Sequence, residues 1–121
     1  EPQYIPRGVA GVEVVGAVED AVREIAKSRV AVVPLLAGSG TRLKIVEAFA
    51  AGVAVVSTRL GAEGIGGPVA VADSPVAFAA EVLRLLADEP ARRDLAQAGR
   101  AKYEAECTWA AVDRQLVALG L

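Results

Sequence analysis

Residues 30–58 read VAVVPLLAGSGTRLKIVEAFAAGVAVVST, and this stretch decides the fold. Two Val-rich runs, Val30–Val33 and Val53–Val56, enclose a loop with two glycines and an apolar segment with helical spacing. Apolar runs of this length without alternation are typical of strands covered on both faces, as in a parallel sheet. Val favours strands over helices, which supports that interpretation. The stretch therefore predicts a strand, a helix and a second, parallel strand.

The same alternation continues on both sides of this stretch. Upstream, Val12–Val15 is predicted to form a strand, and Asp20 is predicted to cap a helix over 21–28. Downstream, Pro68–Val71 is predicted to form another strand. Three helices should follow, starting at Ser74-Pro75, at Asp88 with Pro90, and at Thr108. This order predicts an α/β fold, a Rossmann-like parallel sheet with flanking helices.

Helical spacing also predicts which helix faces pack. In the helix over 41–51, which Gly52 should end, one apolar side comprises Leu43, Val46 and Ala50, with Ile45 and Phe49 beside them. In the helix after Ser74, the apolar residues at helical spacing are Val76, Ala79, Ala80, Leu83 and Leu86. These sets are the expected contact faces of the two helices.

The composition excludes several classes of protein. With 121 residues, 54% apolar and 23% charged, the chain is too apolar for a disordered segment and long enough for one domain. No apolar run approaches the ~20 residues that span a bilayer. The net charge of −2, without a basic cluster, argues against a nucleic-acid surface. The absence of His removes His-dependent triads and the common zinc sites, so no metal is expected. A single Cys and no visible signal peptide indicate a cytoplasmic location.

Three features predict that 1–121 is one partial domain of a longer protein. The chain contains no Met, residues 1–11 show no clear strand or helix, and the helical C-terminal third has no strand to cover. We expect the missing portion to include the upstream part of this domain.

The loop between the two Val-rich runs, together with the start of the helix that follows it, contains the candidate binding residues. A strand followed by a glycine-containing loop and a helix start places free N–H groups and the positive end of a helix dipole at the carboxyl edge of a sheet. Such a position binds phosphates. Gly38 and Gly40 permit close approach of a diphosphate, and Arg42 and Lys44 add cationic donors. Glu47, one and a half turns into the helix, suits the vicinal hydroxyls of a ribose.

A purely structural interpretation of the same residues stays open. The loop is then an ordinary helix start, and Lys44 and Glu47 form an (i, i+3) surface pair. The stretch is neither a P-loop nor a G-x-G-x-x-G dinucleotide loop. Glu63, which follows a predicted strand, either reaches the cleft or belongs to a plain turn. Gly16 precedes a predicted helix and is a further candidate.

From Val14 to about Gly64, the sequence resembles the C-terminal domain of retaining GT-B glycosyltransferases, in the family 4 group of nucleotide-sugar transferases. The resemblance extends to the tail through Asp88-Glu89-Pro90 with Arg93 and through Cys107-Thr108-Trp109. The matching stretches within 14–64 are Val15–Asp20, Ala31–Leu35, Gly38–Ala48, Gly52–Thr58 and Gly61–Gly64.

This resemblance implies a nucleotide-diphosphate sugar as donor substrate, with no cofactor, and glycosyl transfer with retention to a glycan or glycolipid acceptor, as in polysaccharide biosynthesis. The family signature has two glutamates eight positions apart. Glu47 matches the second, which holds the ribose, whereas the first falls on Ser39, which is not a carboxylate. Gly40, Thr41 and Arg42 match the loop beside the diphosphate.

The family's basic Arg/Lys pair and its acceptor-binding N-terminal domain match no residue of this chain. The resemblance therefore implies a parent enzyme that works as a transferase, in the cytoplasm or at a membrane, and a fragment that is inactive alone.

Two other functions remain open. One is a non-catalytic α/β module that binds phosphate or self-associates through open strand edges, forming a homo-oligomer. The other is a nucleotide-sugar epimerase, which ranks last because it would need catalytic carboxylates or a His.

Overall fold

The fold is built on a short parallel sheet with helices on both faces. The computed structural model describes residues 8–38 and 42–120. The elements in chain order are α1 (Ala21–Ile25), β1 (Val30–Val33), α2 (Arg42–Ala51), β2 (Ala54–Ser57), β3 (Ala70–Val71), α3 (Pro75–Ala87), α4 (Glu89–Glu106) and α5 (Trp109–Ala118).

The three strands lie side by side in the order β1-β2-β3, and both pairs are parallel. Val33 is in register with Ser57, and Ser57 with Val71. β2 is therefore the central strand, and its four residues are all buried. The predicted α/β class and parallel sheet are confirmed.

The predicted strand at Val12–Val15 is wrong. The structure gives residues 12–15 no strand pairing, and Val12, Val14 and Val15 are 46%, 37% and 54% exposed. A strand needs a neighbour for its backbone groups, and within the described residues β1 pairs on one side alone, with β2. High β-propensity does not suffice without that partner.

Helices cover the two faces of the sheet. On one face, α2 inserts Ile45, Ala48 and Phe49 against β1 and β2, with α1 beside it. On the other face, α3 packs Leu85 against Ala54 and Val56. α4 contacts both layers, because its first half joins the α3 side and its second half contacts α2. The core is therefore divided between two thin apolar layers.

The predicted helix boundaries are largely confirmed by their caps. The side chains of Asp20, Ser74 and Asp88 each accept a hydrogen bond from the N–H three residues later, at 3.0–3.1 Å. α2 ends at Ala51, and Gly52, which follows it, has φ +71°. The N–H of Gly52 donates to Phe49 and that of Val53 to Ala48, the paired bonds of a Schellman motif.

The predicted contact face of α2 is confirmed in part, and that of α3 is wrong. In α2, Ile45 and Phe49 are buried and pack in the core together with Ala48, whereas Leu43 is 66% exposed. In α3, Val76 and Leu83 are 82% and 65% exposed, while Leu85 is buried and Phe78 and Val82 pack against the sheet. Both helices carry apolar residues on two sides, so spacing alone does not determine which side meets the sheet.

Candidate functional site

The carboxyl ends of the three strands form one edge of the sheet, as expected of parallel strands. Pro34 follows β1, Thr58 follows β2, and Asp73 lies two residues beyond β3. In open α/β sheets, ligands bind outside this edge. The residues at these positions therefore define the candidate site.

The hydroxyl of Thr58 joins two loops of this edge. It donates to the carbonyl of Leu35 at 2.6 Å and accepts from the N–H of Gly61 at 3.0 Å. The N–H of Thr58 donates to Val33 at 3.2 Å. Because Thr58 is buried, at 4% exposure, these bonds are shielded from water. They fix the start of the loop that leads to Gly38.

Gly61 and Asp73 hold the loop after β2. A Cβ on Gly61 would lie 2.5 Å from Ser57 Oγ and 3.1 Å from the Val33 carbonyl oxygen, so this backbone approaches β1 too closely for a side chain. Asp73 accepts from the N–H of Arg59 at 2.8 Å. At the carboxyl edge, hydrogen bonds thus link the loop after β2 to the loop after β1 and to the segment after β3.

The predicted phosphate loop is the continuation of the loop after β1 that Thr58 holds at Leu35. Gly38 has φ +93°, a left-handed conformation that favours glycine. α2 begins at Arg42, so its first turn follows the loop directly. Ser39, Gly40 and Thr41 lie outside the described residues, as does the side chain of Arg42. The described geometry is a strand, a left-handed glycine and a helix start in succession.

Glu47 lies in the middle of α2 and is half-buried. Its neighbours along the helix, Ile45 and Ala48, are in the core at 0% and 1% exposure. Within the described residues, its carboxylate has no hydrogen bond or ion pair. The (i, i+3) pair with exposed Lys44, which the structural interpretation requires, does not form here. The described part of the chain, which leaves out residues 39–41 and the side chain of Arg42, thus offers this half-buried carboxylate no partner.

The structure separates the three further candidates. Lys44 and Glu63 are both exposed, Lys44 in α2 and Glu63 in the turns after β2. Glu63 thus belongs to the carboxyl edge, and its N–H donates to Leu60 at 3.2 Å, as in a plain turn. Gly16 has φ +79° in an exposed segment without helix or strand. A Cβ on Gly16 would meet no atom within 4 Å.

Grooves occur on both edges of the sheet. At the carboxyl edge, a 310 Å³ groove lies between the loop after β1 and the start of α3, lined by Pro34, Leu36, Thr58, Asp73, Ser74, Pro75, Phe78 and Ala79. At the opposite edge, a 410 Å³ groove runs between Gly52 and α4. Concavity alone therefore does not distinguish the two edges.

No group of three or more His, Cys, Asp or Glu side chains in residues 8–38 and 42–120 is placed to hold a metal ion. Over the same residues, no helix has both the length and the apolar character to cross a membrane.

The family is shown by a match to the family model for glycosyl transferases group 1, which covers residues 2–88. The matched region contains the whole sheet, the loop at Gly38 and Glu47. The chain therefore belongs to the glycosyl transferases group 1, a family of enzymes that transfer glycosyl groups. A search of curated proteins gave no significant match.

Sequence reasoning did not identify Thr58 as a residue that holds the site. Its side chain joins residues 23 positions apart, and such a long-range bond leaves no periodic signal in the sequence. Gly61 was identified as part of a motif, but its close approach to Val33 depends on tertiary packing. The detectable signal for both was their position in the segment that follows the predicted strand Val53–Val56, two residues beyond its end for Thr58 and five for Gly61.

Proposed function

We propose that this chain is the donor-binding part of a retaining glycosyltransferase, whose parent enzyme moves a sugar from a nucleotide diphosphate to a glycan or glycolipid acceptor. The observation that carries the proposal is Glu47, a half-buried carboxylate on the helix that follows the Gly38 loop, which has no hydrogen bond or ion pair within residues 8–38 and 42–120. Family membership supports glycosyl transfer in general. The particular donor, acceptor and stereochemistry are part of the proposal.

The assigned roles follow from the chemistry of the donor. Backbone N–H groups from Gly38 to Arg42 hold the diphosphate, because helix N-termini favour anions. Ser39 and Thr41 add hydroxyl donors, and Arg42 and Lys44 add positive charge. The Glu47 carboxylate accepts hydrogen bonds from the two ribose hydroxyls. A carboxylate has two charged oxygens and can accept a hydrogen bond from each hydroxyl at once. A neutral hydroxyl or amide side chain offers a single acceptor oxygen without that charge.

Catalysis needs groups beyond those assigned here. Stabilising the charge on a departing diphosphate requires positioned cations, and the acceptor must be held near the anomeric carbon. The basic pair implied by the resemblance matches no residue of this sequence. We therefore propose that the 121-residue chain binds the donor nucleotide but does not catalyse transfer alone.

The experiment is a calorimetric titration of the 121-residue chain with UDP, GDP and ADP. Because hydrogen bonds to charged groups contribute about 1.5–3 kcal/mol, the substitution Glu47→Gln should weaken the preferred nucleotide about 10- to 100-fold. Glu13→Gln is the matched control, since Glu13 is exposed in a segment without helix or strand. It should leave the affinity unchanged.

A second titration isolates the ribose contact. The 2′,3′-dideoxy form of the preferred nucleotide should bind the unmodified chain more weakly and show no further loss with Glu47→Gln. If Glu47→Gln weakens both nucleotides equally, the carboxylate does not hold the ribose. If it weakens neither, or no diphosphate binds, the proposed donor site is wrong.

A further inference from the structure

The carboxyl-terminal end of α2 is held by a side chain from another helix. The last carbonyls of a helix have no partner within the helix. In α2, two backbone N–H groups of the following turn satisfy the carbonyls of Ala48 and Phe49. The carbonyl of Ala50 accepts instead from Nη1 of Arg100, which lies in α4. Among the described side chains, Arg100 alone bonds the backbone of α2 from another helix.

Arg100 is itself held in this orientation, although its side chain is 48% exposed. Its Nε donates to Glu104 at 2.9 Å, one turn further along α4. Its guanidinium carbon lies 5.4 Å from the centre of the Tyr103 ring, and Tyr103 packs against the core cluster that includes Phe49. A planar guanidinium is pre-organised, so it loses little freedom for each bond it forms. Arg100 therefore offers α2 a donor at a defined position.

The bond to Ala50 constrains the position of α2 along its axis. A hydrogen bond weakens steeply with distance and angle, whereas burial of apolar area is non-directional. The bond therefore selects one axial position of the helix more sharply than apolar burial does. Glu47 precedes Ala50 by three residues, which is about 4.5 Å along the helix axis. Because this distance is less than one turn of a continuous helix, a shift at Ala50 would move Glu47 as well.

We propose that Arg100 is a positioning residue of the donor site, which holds α2 at the Ala50 carbonyl and thereby sets where the Glu47 carboxylate lies. The inference rests on the donor site proposed above. Arg100 lies at the opposite edge of the sheet, where it lines the groove between Gly52 and α4. It does not touch a ligand at the carboxyl edge and acts on that ligand through the position of α2.

Arg93 provides a matched control on the same helix. Like Arg100, it pairs with a glutamate four residues away, Glu89 at 2.8 Å, and it lines the same groove. Its side chain is 63% exposed, and within the described residues it bonds no atom of α2. Arg93→Ala and Arg100→Ala thus remove the same charge and the same kind of ion pair. Only Arg100→Ala also removes the bond to α2.

The experiment is a calorimetric titration of the 121-residue chain with whichever of UDP, GDP and ADP it prefers. We expect Arg100→Ala to weaken binding about 2- to 30-fold, the range for residues that act on a site without touching its ligand. Arg93→Ala should leave the affinity unchanged. Circular dichroism would check that both variants are folded. If Arg100→Ala does not fold, Glu104→Gln, which removes the partner that orients Arg100, should weaken binding, and Glu89→Gln should not.

A double-mutant cycle with Glu47→Gln separates positioning from general support of the fold. If Arg100 acts by placing the carboxylate, Arg100→Ala should cost less affinity in the Glu47→Gln background. Additive losses, an equal loss with Arg93→Ala, or no loss with Arg100→Ala would overturn the inference. The donor site would still stand if Glu47→Gln alone weakens binding. If the unmodified chain binds none of the three nucleotides, the donor site is wrong and the positioning role falls with it.

Discussion

The hydroxyl of Thr58 decides how the two loops at the carboxyl edge lie relative to each other. It donates to Leu35 and accepts from Gly61, and its backbone is tied to Val33. No other described side chain of this edge bonds the loop after β1 in this way. A single group therefore positions the start of the proposed phosphate loop.

We expect Thr58→Val to destabilise the fold by about 1–3 kcal/mol, because the isosteric side chain leaves the Leu35 carbonyl without its donor. Thr58→Ser keeps the hydroxyl and loses one methyl group, which costs about 0.8 kcal/mol. Urea unfolding measures both. A Val variant at least as stable as the Ser variant would show that the hydroxyl does not hold these loops.

Local signals made some single residues predictable from the sequence. Asp20, Ser74 and Asp88 were recognisable as caps because a cap bonds an N–H only three residues away. Thr58 was not recognisable, since its acceptor is 23 residues distant. The difference is the range of the interaction and not its strength.

The contact between α2 and α4 depends on a glycine in the middle of a helix. A Cβ on Gly99 would lie 2.6 Å from Cδ1 of Phe49 and 3.1 Å from Cε1, and Phe49 is 1% exposed. Gly99 therefore allows the helices to approach until the ring lies against the backbone of α4. The close packing of α2 and α4 explains why glycine, a residue that destabilises helix interiors, occupies position 99 in the middle of α4.

In an exposed helix, Gly→Ala stabilises by up to about 1 kcal/mol. At this position, we expect Gly99→Ala to destabilise by about 1–3 kcal/mol, because the new methyl group overpacks the core. Thermal or urea unfolding of a double-mutant cycle with Phe49→Leu checks the cause. The cost of Gly99→Ala should fall sharply in the Phe49→Leu background. Additive effects of the two substitutions would contradict a clash with the ring.

Helix existence was predictable, but helix orientation was not. α3 has apolar residues on two sides, and the side with the most regular spacing, from Val76 to Leu86, is the exposed one. The larger Phe78 with Val82 and Leu85 meets the sheet instead. Spacing predicts that a side is apolar, whereas only tertiary packing decides which of two apolar sides is buried.

For the whole molecule, the order of elements along the chain determined the architecture. The runs at Val30–Val33 and Val53–Val56 predicted parallel strands, because parallel strands need a crossover connection and the helix between the two runs provides it. The run at Val12–Val15 is also Val-rich, with Glu13 where the other two runs have Ala, but it has no strand pairing, since pairing depends on a neighbour as well as on propensity. The third strand is shorter than predicted, with two residues.

The positions of two candidate residues were predictable for the same reason. Parallel strands bring the residues after their carboxyl ends to one edge, so the positions of Gly38 and Glu63 follow from the element order, whereas Glu47 lies in the middle of α2. That Glu47 is half-buried, and that no described side chain pairs with it, required the structure, because both depend on the packing of α2. These two observations together lead to the proposed donor site.

The most direct test of this account is a titration of the ¹⁵N-labelled 121-residue chain with UDP, GDP and ADP, followed by backbone amide shifts. With the preferred nucleotide, the largest shifts should fall on Gly38 in the loop after β1 and on Lys44 and Glu47 in α2, and the amides of Gly52 and Gln97 should not shift. Largest shifts at Gly52 and Gln97, in the groove at the opposite edge, would contradict the central claim.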